Sequence, residues 1–134
     1  MEGMGKKESF IIGFLYGMGY WLIGISWVYV SIHYHGNINE LSSSLITLLF
    51  ISCLSVYMGL LGILYSCLSF ESTKSTIIVF PICWGLIEIL RGMLFTGFPW
   101  LLAGTTISDT VLGGWISVIG SQGNSIVLMI FCGA

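Results

Sequence analysis

Thr96-Gly97-Phe98-Pro99-Trp100 closes an apolar run, residues 75–95, whose only charges are Glu88 and Arg91. Proline lacks a backbone N–H and restricts the residue before it, so Gly-Phe-Pro-Trp cannot continue a helix. Each charge placed alone at a bilayer centre would cost about 2.5–3.5 kcal/mol, so a charge kept there has a task. Glu88 and Arg91 stand three positions apart, where helix side chains are neighbours. The stretch therefore reads as a helix that ends at a membrane surface and presents aromatic rings there.

Working outward, the rest of the chain has the same character. Of 134 residues, 56% are hydrophobic and only 7% are charged, against the roughly 25% of a soluble domain. So few charges cannot cover a surface in water, and an acidic, aromatic-poor disordered chain is excluded as well. The formal net charge is −2 and there is no basic patch, so nothing suggests nucleic acid as a partner. The fold class expected is all-α: a partial polytopic transmembrane bundle of three full spans and a truncated fourth.

Its expected parts follow from the uncharged runs. Residues 1–8 form a cytoplasmic N-terminus. Residues 9–32 make a first span, too long for a signal-peptide core and without a cleavage site. A periplasmic loop, 33–40, leads to a second span, 41–70, with Ser42, Ser43 and Ser44 placed to cap it. A short cytoplasmic loop, 71–74, precedes the third span, 75–95. Residues 96–120, rich in Gly and Thr, form a periplasmic or interfacial segment. A last span starts near Ser121 and is cut short at 134, as in a fragment. Lys6, Lys7 and Lys74 all fall on one side of this arrangement, and positive charge favours the cytoplasm.

Each candidate residue carries more than one reading. Gly13, Gly17 and Gly24 line one helical face with small residues, which suits close helix packing. Trp27, Tyr29 and His33, at the end of the first span, suit either an interfacial aromatic belt or the wall of a site. Glu88 and Arg91 pair either as a structural clamp on the turn that follows, or with Arg91 also meeting a lipid phosphate, which its planar fork fits. Phe98 and Trp100 offer walls, whereas Gly92, Gly97 and Pro99 shape the loop. His33 and His35 do not face one way and have no third ligand, so no metal site is read. No cofactor motif is read. Cys53, Cys67, Cys83 and Cys132 lack C-x-x-C spacing and sit in apolar runs as small hydrophobes. Cys67, Glu71 and Lys74 hold a thiol, a carboxylate and an amine at helical spacing, but without an oxyanion site or pocket they are not read as catalytic.

Two stretches together carry a resemblance. Gly19-Tyr20-Trp21 through Trp27-Val28-Tyr29-Val30-Ser31-Ile32-His33 and Gly36 resembles the third span and following outer loop of apolipoprotein N-acyltransferase. Trp84 through Glu88, Arg91 and Gly92, then Phe95-Thr96-Gly97-Phe98-Pro99-Trp100-Leu101, resembles that family's fifth span and the loop after it; Gly104, Ser108, Asp109 and Gly120 follow in order. The resemblance implies an enzyme of the bacterial inner membrane that moves an acyl chain from phospholipid to the N-terminal diacylglyceryl-cysteine of a lipoprotein. It implies a ping-pong reaction through a thioester, on a Glu-Lys-Cys triad in a nitrilase-like periplasmic domain. Its partners would be a phospholipid donor, a lipoprotein acceptor and membrane lipid. On this resemblance the 134 residues are expected to leave out two earlier spans, most of a sixth and the nitrilase-like domain, and none of them matches the triad. By itself it is expected to be inactive. Two alternatives stay open: a small non-catalytic membrane protein that binds lipid or a partner, and a related bundle such as those of some polyprenol-phosphate mannosyltransferases.

Overall fold

The computed structural model describes residues 5–69, 75–94 and 97–133. The expected loop at 71–74 with Glu71 and Lys74, most of the N-terminal tail, Phe95 and Thr96 lie outside the described residues. Among those described, every regular element is helical. The α-helices are α1 (Lys6–Gly24), α2 (Trp27–Val30), α3 (Glu40–Leu68), α4 (Phe80–Met93) and α5 (Ile116–Gly133). Wider π-type turns extend α2 (Ser31–His35) and precede α4 (Ser75–Val79). Two 3₁₀ turns, Ala103–Ile107 and Val111–Trp115, lie between α4 and α5.

The helices Glu40–Leu68, Thr76–Met93 and Gly113–Gly133 are each long and apolar enough to cross a membrane. A fourth would be the bent pair Lys6–Gly24 and Trp27–His35. Their outer surfaces are rich in large apolar side chains: Ile23 is 83% exposed, Met93 77% and Val118 77%. Such surfaces aggregate in water but are at home against lipid chains.

The first apolar run, expected as one span over 9–32, is bent. It breaks after Gly24 and turns by 53° before Trp27. Gly24 and Ser26 are both weak helix residues, and glycine–serine pairs are common kink sites. Ser26 turns its hydroxyl back onto the Ile23 carbonyl at 3.3 Å. From the other side, the Leu101 side chain fills the space a Gly24 Cβ would need. The start of α3 also differs from expectation. Its cap is Asn39, whose Oδ1 accepts from the Ser42 N–H at 2.8 Å, while the Ser44 hydroxyl bonds back to the Glu40 carbonyl inside the helix. An Asx side chain one residue ahead of the helix reaches that orphan donor, which a serine already inside the turn cannot.

Helices α1 and α3 form the principal packing pair. Gly13 lies against the Met58 carbonyl, Gly17 against Met58 Cβ and Ser55 Cα, and Gly62 against the Ser9 carbonyl. Ser9 and Ser55 are fully buried between them. Backbones so close are possible only because side chains are nearly absent along the seam. Helix α4 packs on α3 and α5, and its Pro81 sits in the first turn, where a missing N–H costs nothing. Helix α5 is interrupted at Gly120 (φ 73°, ψ 172°), so that its longer part begins at Ser121.

Candidate functional site

The turn after α4 is built by its own backbone. Leu94 leaves helical geometry, the Gly97 N–H donates to the Leu94 carbonyl at 2.9 Å, and the Phe98 N–H reaches back to the Arg91 carbonyl at 3.1 Å. Gly97 takes φ +81°, and a Cβ there would strike the Gly92 carbonyl. Both facts demand glycine at this position. Gly97→Val should therefore cost about 1–3 kcal/mol in backbone strain alone, read as a lower melting temperature of the purified chain. An unchanged melting point would show that the turn relaxes freely.

This turn places Phe98 and Trp100 among aromatic rings from the other helices. Phe98 meets Phe50 edge-on with centroids 5.2 Å apart, and Trp21 at 6.2 Å. Trp100 contacts Phe98 at 6.4 Å and Trp27 at 5.5 Å. Trp21 is completely buried, whereas Trp27 and Trp100 are half exposed at the edge of the group. Pro99 is exposed beside them. The Tyr20 hydroxyl donates to the Leu101 carbonyl at 3.0 Å, tying α1 to the end of the turn. Trp27, Phe98 and Trp100 thus stand together. Tyr29 and His33 form a separate stack, 5.6 Å between centroids, on the α2 side. His33 Nδ1 lies 2.7 Å from the Ile38 carbonyl; a carbonyl only accepts, so Nδ1 carries the proton.

Beneath the rings lie the two charges. Glu88 is 4% exposed and Arg91 3%. They do not form the ion pair that their spacing suggested. Glu88 Oε1 accepts from Trp84 Nε1 at 3.0 Å and from the Ala103 N–H at 2.9 Å. Arg91 instead lays its guanidinium over the Trp21 ring, 4.7 Å from the centroid, a cation–π contact that needs no carboxylate. Glu88 Oε2 and Arg91 Nε and Nη2 are buried without a hydrogen-bond partner. The reason is directional: Glu88 is drawn towards two donors on one side, and Arg91 towards an aromatic face on the other.

The segment after Trp100 is docked on α5. The Gly104 N–H donates to Ser125 Oγ at 2.7 Å, and Asn124 Nδ2 donates to the Gly104 carbonyl at 3.3 Å. A Cβ on Gly104 would strike the Ser121 carbonyl. Gly92 packs more loosely, with Gln122 Nε2 3.7 Å from where its Cβ would be. No group of three or more metal-ligating side chains occurs among the described residues.

Comparison with known proteins supplies the family. Residues 2–134 match the model of the apolipoprotein N-acyltransferase N-terminal domain. The chain belongs to this family. It is 39% identical over 124 residues to the apolipoprotein N-acyltransferase of Coxiella burnetii, covering 90% of this chain and 25% of that protein. The corresponding protein of Methylococcus capsulatus is 37% identical over 128 residues, 95% of this chain and 25% of the relative. That of Photobacterium profundum is 33% identical over 135 residues, 100% of this chain and 26% of the relative. The chain therefore spans about a quarter of the length of the curated relatives it matches.

Within this N-acyltransferase domain the structure adds participants that spacing alone does not single out. Phe50 comes from the middle of an uninterrupted apolar helix and carries no local signature. The Ala103 N–H that Glu88 holds is a main-chain group, invisible in any motif. Asn124 and Ser125, both fully buried in an apolar helix, were the available signal, since buried polar groups require partners.

Proposed function

We propose that this chain is the lipid-holding membrane portion of an apolipoprotein N-acyltransferase, which transfers an acyl chain from a phospholipid to the N-terminal diacylglyceryl-cysteine of a lipoprotein. The observation that carries this reading is the family match across residues 2–134, together with relatives bearing that name. In this reading the chain lies in the bacterial inner membrane with its N-terminus in the cytoplasm. The turn at 97–104 and the 33–39 connection then lie on the periplasmic side, where the acyl transfer takes place. Trp27, Tyr29, His33, Phe98 and Trp100 are walls for lipid entering that side, because amphipathic rings settle at the interface. Arg91 is the headgroup anchor, Glu88 the clamp on the turn, and Gly97 and Pro99 set its shape. The covalent chemistry, attack of a thiolate on an acyl ester and transfer to an amine, is assigned to none of these 134 residues, which by themselves would not turn over.

A chimera tests this. Residues 2–134 replace the matching segment of a complete relative, and lipoprotein N-acylation is measured in cells depleted of their own enzyme. Restored N-acylation is expected, and Arg91→Ala in the chimera should lower it several-fold at equal protein level. A chimera that accumulates normally in the membrane yet leaves lipoproteins unacylated would overturn the assignment in favour of a non-catalytic lipid-binding protein.

A further inference from the structure

A small cavity inside the bundle has both Glu88 and Arg91 on its wall. Met58 and Leu61 of α3, Ile87 of α4 and Leu101 supply its apolar sides, and Tyr57 brings the one hydroxyl. Its lining residues on α4, and those on α3 apart from Tyr57, are buried. About 10 Å³ of it is open to a sphere the size of water. That is the lower limit for holding one water molecule and far too little for a lipid chain.

The unused hydrogen-bonding atoms converge on this cavity. Six buried side-chain nitrogen and oxygen atoms among the described residues have no partner, and three of them belong to its two charged residues: Glu88 Oε2, Arg91 Nε and Arg91 Nη2. Nε and Nη2 form one edge of the planar guanidinium, with two N–H bonds running parallel, so a single oxygen can accept from both. Glu88 Oε2 can only accept, while Oε1 is already taken by Trp84 and Ala103. An occupant must therefore accept two hydrogen bonds and donate a third, and water does both. The charges give the same answer. A carboxylate and a guanidinium on one wall oppose each other, so neither an anion nor a cation is favoured there, whereas a neutral dipole is. Three hydrogen bonds is also the usual number for a buried water.

We infer that one buried water binds in this cavity and joins Glu88 to Arg91, accepting from Nε and Nη2 and donating to Oε2. The two residues then form an ion pair through water rather than by direct contact. The bridge lets each keep its own partner. Arg91 stays on the Trp21 face, 4.7 Å from the ring centroid, and Glu88 stays on Trp84 and Ala103, yet the two charges are linked. A bridge through water is nearly as favourable as a direct hydrogen bond, and a buried polar network is rigid when every member is satisfied. The inference goes beyond the lipid-holding reading above and does not depend on it, because the ligand is solvent and the cavity excludes acyl chains.

Arg91 is the only arginine of the chain, so ¹⁵N-labelled arginine gives a single Nε–H resonance. The purified chain in deuterated, uncharged detergent is studied by NOESY and ROESY for contact between this proton and water. A water held for longer than the particle takes to tumble gives cross-peaks of opposite sign in the two spectra, whereas proton exchange gives the same sign in both. Opposite signs are expected. Tyr57→Phe removes the one lining hydroxyl that could relay the signal, and should leave the cross-peak in place. Leu61→Phe pushes a ring into the cavity and leaves every polar atom on its wall, and should abolish it. No cross-peak, or one of the same sign in both spectra, would overturn the inference on the unsubstituted chain alone, whether or not a variant folds. Loss of the signal in Tyr57→Phe, or its persistence in folded Leu61→Phe, would overturn the assignment to this cavity. Neither lipid binding nor acyl transfer is measured, so the outcome is independent of the chimera experiment.

Discussion

Glu88→Ala should destabilise the folded chain by about 3 kcal/mol or more, whereas Glu88→Gln should cost clearly less. Glu88 Oε1 accepts two hydrogen bonds, from Trp84 within α4 and from Ala103 in the segment after the turn. Bonds to a charged acceptor are worth about 1.5–3 kcal/mol each, and removal of the acceptor leaves both donors buried and unpaired. Alanine also removes the only acid buried near Arg91 among the described residues, at 4% exposure, and leaves the cation without any negative neighbour. Glutamine retains an acceptor oxygen in the same place and forfeits only the charge. Thermal melting of the purified chain, followed by fluorescence and size exclusion, ranks the three proteins. If alanine melts beside wild type, Glu88 is not the clamp between α4 and the 97–104 segment, and its burial needs another cause.

That ranking bears on function because the clamp acts at a distance. The Ala103 N–H and the Gly104 N–H are neighbours on one strand of chain, the first held by α4 and the second by Ser125 of α5. Phe98 and Trp100 lie between that double attachment and the backbone-built turn at Gly97. The ring cluster is thus pinned at both ends, which keeps its rings in fixed positions beside Arg91. A lipid site of the kind proposed above would gain selectivity from such walls only if they do not collapse when empty.

Much of this architecture was legible in the chain. Long runs without charge, joined by short polar connections, gave a helical bundle of membrane character, and the two aromatic motifs gave the family. The 53° break after Gly24 was not legible, because the run continues equally apolar through Val30. Its wedge, the Leu101 side chain, arrives from a remote part of the sequence. The relation between Glu88 and Arg91 was misread for a similar reason. Spacing of three makes two side chains neighbours, but it says nothing of competing partners, and here Trp84, Ala103 and Trp21 outbid the ion pair. Local pattern reports what a helix can do alone; the partners that decide between its options are brought by tertiary packing.

The glycines of α1 show how far the same limit extends, and they carry the second large effect. Gly13→Leu should prevent α1 from docking, whereas Gly19→Leu on the same helix should be harmless or mildly stabilising. A Cβ at Gly13 would strike the Met58 carbonyl and come within 3.2 Å of Gly59 Cα, both of them main chain that cannot swing aside. At Gly19 nothing lies within 4 Å. Leucine at Gly19 gains somewhat less than the roughly 0.8–1 kcal/mol of helix propensity that separates alanine from glycine, and its side chain joins an already apolar outer face. At Gly13 the same gain is overwhelmed: overpacking alone costs about 1–3 kcal/mol, and spreading the seam also loosens the contacts of Gly17 with Ser55 and of Gly62 with Ser9. The two variants should therefore differ by about 2–4 kcal/mol in stability, from identical changes six positions apart. Melting curves of the two purified proteins, with size exclusion to detect separated or aggregated chains, provide the comparison. Equal melting points would mean that α1 and α3 can slide apart without loss, and the small-residue seam would then not be what holds the bundle together. The expected gap locates the specificity of this pairing in the absence of side chains, which composition counts as nothing and packing counts as close contact between two backbones.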